Sequence, residues 1–277
     1  MTHKLPNALI LGPMRTGSTW CYNYLKNRGD VDLPRRVKET FFFDRYYARG
    51  ADWYARQFHS VSEVCVEVAP SYFAKPDLPD KVYRTLGPIP LVAVLRNPVD
   101  RAYSHYQHLV RYGLARGGFQ DVVRESGLWR DGQFGRVLAE WDAVFGPKSV
   151  ALLDFDEIAA RPKQFAAALD TCLGLETHCG EAVPPSALNG VTAGARPYLA
   201  SVTTRVADYL RSCGAHSVVN VVRDLPYAKR AVYGSKATNR PSLPYDDRMW
   251  FYERYVLPDL GRLKWTVPPE TLARWID

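Results

Sequence analysis

Asn7-Ala-Leu-Ile-Leu-Gly-Pro-Met-Arg-Thr-Gly-Ser-Thr-Trp20 sets the reading of the whole chain. The apolar run Ala8–Leu11 stops at Gly12-Pro13, as a short strand buried on both faces would. A loop follows, and then a helix from about Ser18 to Arg28, with Ser18 and Thr19 as N-cap types and Gly29-Asp30 as the stop. A helix that opens directly after a strand and a Gly-containing loop offers unpaired N–H groups and a partial positive charge, a setting suited to phosphate. The spacing from Gly12 to Gly17 matches the nucleotide-triphosphate loop GxxxxGK[ST], but Ser18 stands where that loop needs lysine. An ordinary ATP or GTP hydrolysis site is therefore excluded. The cation of this loop is Arg15.

Working outward, further apolar runs occur at Val64–Val68, Pro90–Leu95 and Ser149–Leu153. The second runs straight into Arg96-Asn97-Pro98, which reads as a helix start with Asn97 as N-cap, Pro98 at N1 and Asp100 at N3. The last precedes Phe165, Leu169, Cys172 and Leu173 at helical spacing, stopped by Gly174. Strands that alternate with helices predict an α/β fold: one domain over residues 1–277, with a central parallel sheet flanked by helices. Glu176–Pro197 and Tyr233–Pro244 read as irregular connections, and a final helix is expected near Asp246–Val256.

The 277 residues are 47% hydrophobic, enough apolar surface to exclude general disorder. Lys and Arg outnumber Asp and Glu by 36 to 29, a net +7 compatible with nucleic acid, an acidic surface or a small polyanion. With no RNP-like aromatic motif, zinc spacing or lysine-rich tail, nothing supports a nucleic-acid module. The five cysteines form no CxxC pair and read as buried thiols. The N-terminus lacks a signal-peptide core, and Ala8–Leu11 is far short of the ~20 residues a membrane span requires. A soluble, cytoplasmic protein is expected.

Arg15-Thr-Gly-Ser-Thr-Trp20 resembles the loop of sulfotransferases that use 3′-phosphoadenosine 5′-phosphosulfate (PAPS). The resemblance implies a P-loop-like sulfotransferase fold, with Arg15, Thr16, Gly17, Ser18 and Thr19 on the 5′-phosphosulfate. Arg96-Asn-Pro-Val-Asp-Arg-Ala-Tyr-Ser104 resembles the family's 3′-phosphate motif and implies that role for Arg96 and Ser104. An arginine fork suits a phosphate, and Arg101 and Ser104, three apart, share a helical face. By the same resemblance, residues of about 7–175 hold the cofactor, and 176–277 complete the cofactor and acceptor sites.

Lys38-Glu-Thr-Phe-Phe-Phe-Asp44 resembles the Lys-Glu-x-His-Phe-Phe-Asp segment of heparan sulfate sulfotransferases, whose glutamate is the general base. Gly50-Ala-Asp-Trp-Tyr-Ala55 and Glu67-Val-Ala-Pro-Ser-Tyr-Phe73 resemble further segments of that branch. Glu39 is thus expected to be the base, Lys38 to lie at the substrate while flanking the cofactor, and Phe41–Phe43 to form wall. None of the six histidines stands in a Lys-x-His context, and His105 and His108 read as packing or surface residues. Ser235-Lys-Ala-Thr-Asn-Arg240 occupies the place of a basic loop over the cofactor, which makes Lys236 a candidate ligand.

Two positions depart from the pattern: Phe41 stands for a histidine and Val68 for a lysine. Both remove polar groups from the acceptor side, so a small metabolite, lipid or glycoside hydroxyl is expected ahead of a polysaccharide or an amine. Sulfuryl transfer is mostly positioning and electrostatics, and no metal is expected. The alternatives are a nucleotide-dependent small-molecule kinase and a non-catalytic adenosine-bisphosphate-binding protein.

Overall fold

A computed structural model describes residues 4–59, 62–177, 192–193, 235–236, 242–263 and 269–276. Five parallel strands form the central sheet: β1 (Ala8–Ile10), β2 (Val31–Asp32), β3 (Val64–Val68), β4 (Leu91–Leu95) and β5 (Val150–Asp154). Their order is β2-β3-β1-β4-β5. The register sets Ile10 beside Val68 on one side and Val92 on the other. β2, only two residues long, had no apolar run to announce it.

Alternate residues of each strand serve opposite faces, which explains why the strands read as continuous apolar runs. Ala8, Ile10, Val66, Val68, Val92 and Val94 pack with Trp20, Cys21 and Leu25 of α1 (Ser18–Arg28). On that face they also meet Phe165 and Leu169 of a later helix, Pro162–Cys172. Leu9, Leu11, Cys65, Leu91, Ala93 and Leu95 face an aromatic layer that includes Phe42, Phe43, Tyr54, Phe58, Tyr72 and Trp141.

The remaining elements follow in chain order. A π-helical turn at Phe42–Tyr46 leads to α2 (Ala51–Ala55), and α3 (Leu78–Leu86) joins β3 to β4. After β4 come α4 (Pro98–Arg111), α5 (Phe119–Ser126) and α6 (Phe134–Phe145). After β5 come α7 (Glu157–Ala160) and α8 (Pro162–Cys172). The helix expected near Asp246–Val256 is α9 (Tyr245–Phe251) followed by a π turn at Tyr252–Val256, and two helices that were not expected come after it, α10 (Leu257–Leu263) and α11 (Pro269–Ile276). Cys21 and Cys65 are buried thiols, as expected, and Cys172 is half-buried. No helix among the described residues is long and apolar enough to cross a membrane.

Candidate active site

From β1 the chain moves toward β2 and β3, whereas from β4 it moves the other way, to β5. The connections diverge between two adjacent strands. At such a switch point the loops after the two carboxyl ends open a crevice, where open parallel sheets take their ligands. The loop around Arg15 follows β1, and Arg96 follows β4.

Close packing shapes the first loop. Gly12 has φ 114°, and a Cβ there would lie 2.6 Å from Pro70 Cα. Gly17 has φ 92°, and its Cβ would meet Ile158 Cδ1 at 2.5 Å. Only glycine meets both demands. Thr16 is buried and donates its hydroxyl to the Pro13 carbonyl at 2.7 Å. Arg15 itself has φ 74°, and its Nε donates to Ser104 Oγ at 3.2 Å. The two signature segments therefore touch.

One expectation about this loop changes. The N-cap of α1 is Gly17, and no side chain caps it. The left-handed turn at Gly17 leads directly into the helix, so Ser18 is the first helical residue and not the cap, and Thr19 lies inside the helix. An N-terminus without a side-chain cap is an anion-binding geometry. The Ser18 hydroxyl instead accepts a hydrogen bond from Lys38 Nζ at 2.8 Å. Lys38, expected at the substrate while flanking the cofactor, thus bonds the first residue of α1.

The second segment follows the expected grammar. Asn97 Oδ1 accepts from Val99 N at 2.9 Å and Asp100 N at 3.2 Å, with Pro98 opening α4. The Arg96 guanidinium stacks 4.7 Å from the Phe155 ring centre, beyond β5. Phe155 and Ile158, which the sequence did not single out, thereby brace Arg96 and Gly17 from one side. Arg101 departs from its neighbour Ser104. A three-residue step turns the helix by ~300°, so the two side chains diverge by ~60°. Arg101 is fully buried, donates to Leu128 O at 2.5 Å and lies 3.5 Å from Asp131. His105 and His108 are held neutral: burial pushes them down to about 3 and about 4, with Arg15 adding to both.

Glu39 precedes the turn into the π helix, and Ser71 N–H donates to its Oε1 at 3.0 Å. Burial raises its carboxyl to about 7, while the Ser71 bonds and the Lys38 charge oppose the rise and Glu67 adds to it. Burial likewise pushes the Lys38 ammonium down, against the pull of Glu39. Phe42 and Phe43 are buried wall, as expected. Phe41 is half-buried at φ 56°, with Arg45 over its ring. Lys236 forms a two-residue strand with Ser235, antiparallel to Thr192–Ala193. Its side chain and most of the basic loop lie outside the described residues.

The family described as "sulfotransferase domain" matches residues 5–183. The chain belongs to the sulfotransferase family. This sulfotransferase is 28% identical over 190 residues to "Bifunctional heparan sulfate N-deacetylase/N-sulfotransferase 1" of Caenorhabditis elegans, covering 62% of this chain and 22% of that protein. It is 30% identical over 113 residues to "Membrane-associated sulfotransferase kil1" of Dictyostelium discoideum, covering 39% of this chain and 24% of that one. It thus spans about a quarter of the length of these curated relatives. A solved sulfotransferase from Alicyclobacillus acidocaldarius superposes with a TM-score of 0.58 at 24% identity, covering 82% of this chain and 100% of that one. That likeness is one of fold. The sulfotransferase family and a parallel sheet flanked by helices are what the sequence led one to expect.

Proposed function

We propose that this sulfotransferase takes PAPS in the crevice between β1 and β4 and passes its sulfuryl group to an acceptor hydroxyl, with Glu39 as general base. The observation that carries the reading is the Arg15–Ser104 bond, which joins the two phosphate-type loops at one switch point. The donor set fits a polyanion. Arg15, Lys38 and Arg96 are cations, Ser18 and Ser104 add hydroxyls, and α1 starts without a side-chain cap. Gly12 and Gly17 keep the loop free of Cβ atoms where it packs most tightly. When bound, PAPS supplies an activated sulfuryl group and leaves as 3′-phosphoadenosine 5′-phosphate.

The chain's own work is then positioning and proton transfer. Thr16–Thr19 and Arg15 bind the 5′ end, Arg96 and Ser104 the 3′-phosphate, and Lys38 draws Ser18 toward the same anion. Glu39, anchored by Ser71 N–H and with an affinity for protons tuned to about pH 7, takes the acceptor's proton as the nucleophile forms. The weakly basic His105 and His108 are poor substitutes. Phe41, half-buried where the resemblance has a histidine, leaves its turn without a polar group, which supports a small metabolite, lipid or glycoside. Val68, expected beside the acceptor, is instead fully buried in the layer against α1. An amine acceptor is the second reading, favoured by the N-sulfotransferase named among the relatives.

Calorimetry with 3′-phosphoadenosine 5′-phosphate and with ATP tests the cofactor. Tight binding of the bisphosphate and weak binding of ATP is expected, and the reverse would favour a kinase. Glu39→Gln should keep bisphosphate binding but lose ~10²–10⁴ in transfer rate. Near-normal transfer by this variant would remove Glu39 from the mechanism.

A further inference from the structure

β3 carries one carboxylate into the aromatic layer. Glu67 is fully buried there, and its three hydrogen bonds among the described residues come from neutral donors. Thr40 N–H gives one to Oε1 at 2.6 Å; Tyr54 and Tyr72 hydroxyls give two to Oε2, at 2.5 and 3.2 Å. A buried carboxylate is a poor way to gain stability, since apolar side chains of similar volume commonly serve as well or better.

The same three bonds gain a purpose from what they hold. Thr40 N–H belongs to the peptide that follows Glu39, so Oε1 fixes the backbone from which Glu39 projects. Tyr72 follows Ser71, whose N–H holds the Glu39 carboxylate, so Oε2 fixes the other side of the cradle. Between these anchors Phe41 sits at φ 56°, a region disfavoured for an aromatic residue. Phe42 N–H donates to Thr40 Oγ1 at 3.2 Å, and Phe43 N–H to the Tyr72 hydroxyl at 3.4 Å, which closes the turn onto the same network.

We propose that Glu67 is a positioning residue for Glu39, one carboxylate that grips the base's own peptide with one oxygen and the turn that cradles it with the other. The proposal rests on the reading of Glu39 as base. Lys38 on its own loop, Glu67 on β3, and Ser71 and Tyr72 on the turn after β3 are the charged or bonding groups around it. Glutamine at 67 keeps one acceptor oxygen but turns an NH2 group toward a donor, so one arm of the grip is lost.

The test compares Glu67→Gln and Tyr72→Phe with Tyr24→Phe, which loses a buried tyrosine–carboxylate bond to Asp170 on the far face of the sheet. For E67Q and Y72F, kcat should fall by about 10–100-fold, the scale of a misplaced reacting group. Their dissociation constant for the bisphosphate should stay within about twofold, since the phosphate loops are untouched. The acid limb of kcat in Y72F should move to higher pH, because a loosened Ser71 N–H bond opposes less of the rise that burial imposes on Glu39. The Glu39 carboxyl titration, followed by 13C NMR without cofactor, should move with it. Y24F should lose thermal stability but keep kcat.

Unchanged kcat per bisphosphate-binding site in E67Q and Y72F overturns the proposal, as does an equal loss in all three variants. Should E67Q fail to fold, the comparison of Y72F with Y24F decides. E39Q is assayed alongside. If E39Q is active, the base assignment falls; if E39Q is inactive and E67Q normal, only the positioning role falls.

Discussion

Arg15 Nε donates to Ser104 Oγ across 3.2 Å, although 89 positions separate the two residues. Sheet order makes the contact, because β1 and β4 are neighbours and both loops leave from their carboxyl ends. Arg15 is thereby pre-aimed, with its guanidinium held by a hydroxyl that sits on a rigid helix.

A double-mutant cycle measures this coupling. Arg15→Lys keeps the charge but not the planar fork, and Ser104→Ala removes the acceptor. Each should weaken bisphosphate binding by about tenfold, the worth of a hydrogen bond to a charged group. Residues in direct contact do not act independently, so the double variant should lose clearly less than the product of the two. Calorimetry showing independent losses would mean that the bond does no work in binding.

Gly17 answers to two demands at once, and they separate experimentally. Gly17→Ala forces a left-handed alanine and a 2.5 Å contact with Ile158 Cδ1. Denaturant unfolding should show a loss of about 1–3 kcal/mol. Adding Ile158→Val relieves the contact but leaves φ where it is, so recovery should be partial. A G17A protein within about 0.5 kcal/mol of wild type would show that the loop relaxes freely.

How far the sequence carried differs from element to element, for physical reasons. The three five-residue strands and α4 announce themselves, since β4 is buried throughout, β3 is apolar but for Glu67, β5 is apolar but for Asp154 although half-buried, and Asn97-Pro98 is a local capping signal. The cap of α1 misled, because Ser18 and Thr19 are good cap types and only the backbone at Gly17 decides. Arg101 and Ser104 read alike on one helix, and only the segment between α5 and α6 shows that Arg101 is enclosed. Glu67 did carry a signal: a lone carboxylate in an apolar strand, with tyrosines at 54 and 72. Nothing local tells which segments it ties together.

Arg101 should behave as framework. Arg101→Leu leaves the Leu128 carbonyl and Asp131 without their partner and should cost about 2–4 kcal/mol in unfolding free energy. The folded fraction should still bind the bisphosphate better than Arg96→Ala, whose loss should reach about tenfold or more. An R101L protein of normal stability that no longer binds would instead make Arg101 a direct ligand.

Glu39 sets opposite demands on stability and rate. Its carboxyl is raised from 4.5 to about 7, chiefly by burial, so the folded protein holds a proton there that the unfolded chain releases near pH 4.5. The stability tied to that proton is complete below about pH 4.5 and is lost as pH rises through about 7. Transfer runs the other way: only the carboxylate accepts a proton, so kcat should fall as pH drops through about 7. Glu39→Gln mimics the protonated form permanently. It should therefore melt higher than wild type at about pH 8 and alike near pH 4.5, while losing the acid limb along with the activity. Thermal melts of the two proteins across that range check the claim, and equal melting at the alkaline end would show that Glu39 ionises without cost in the folded site.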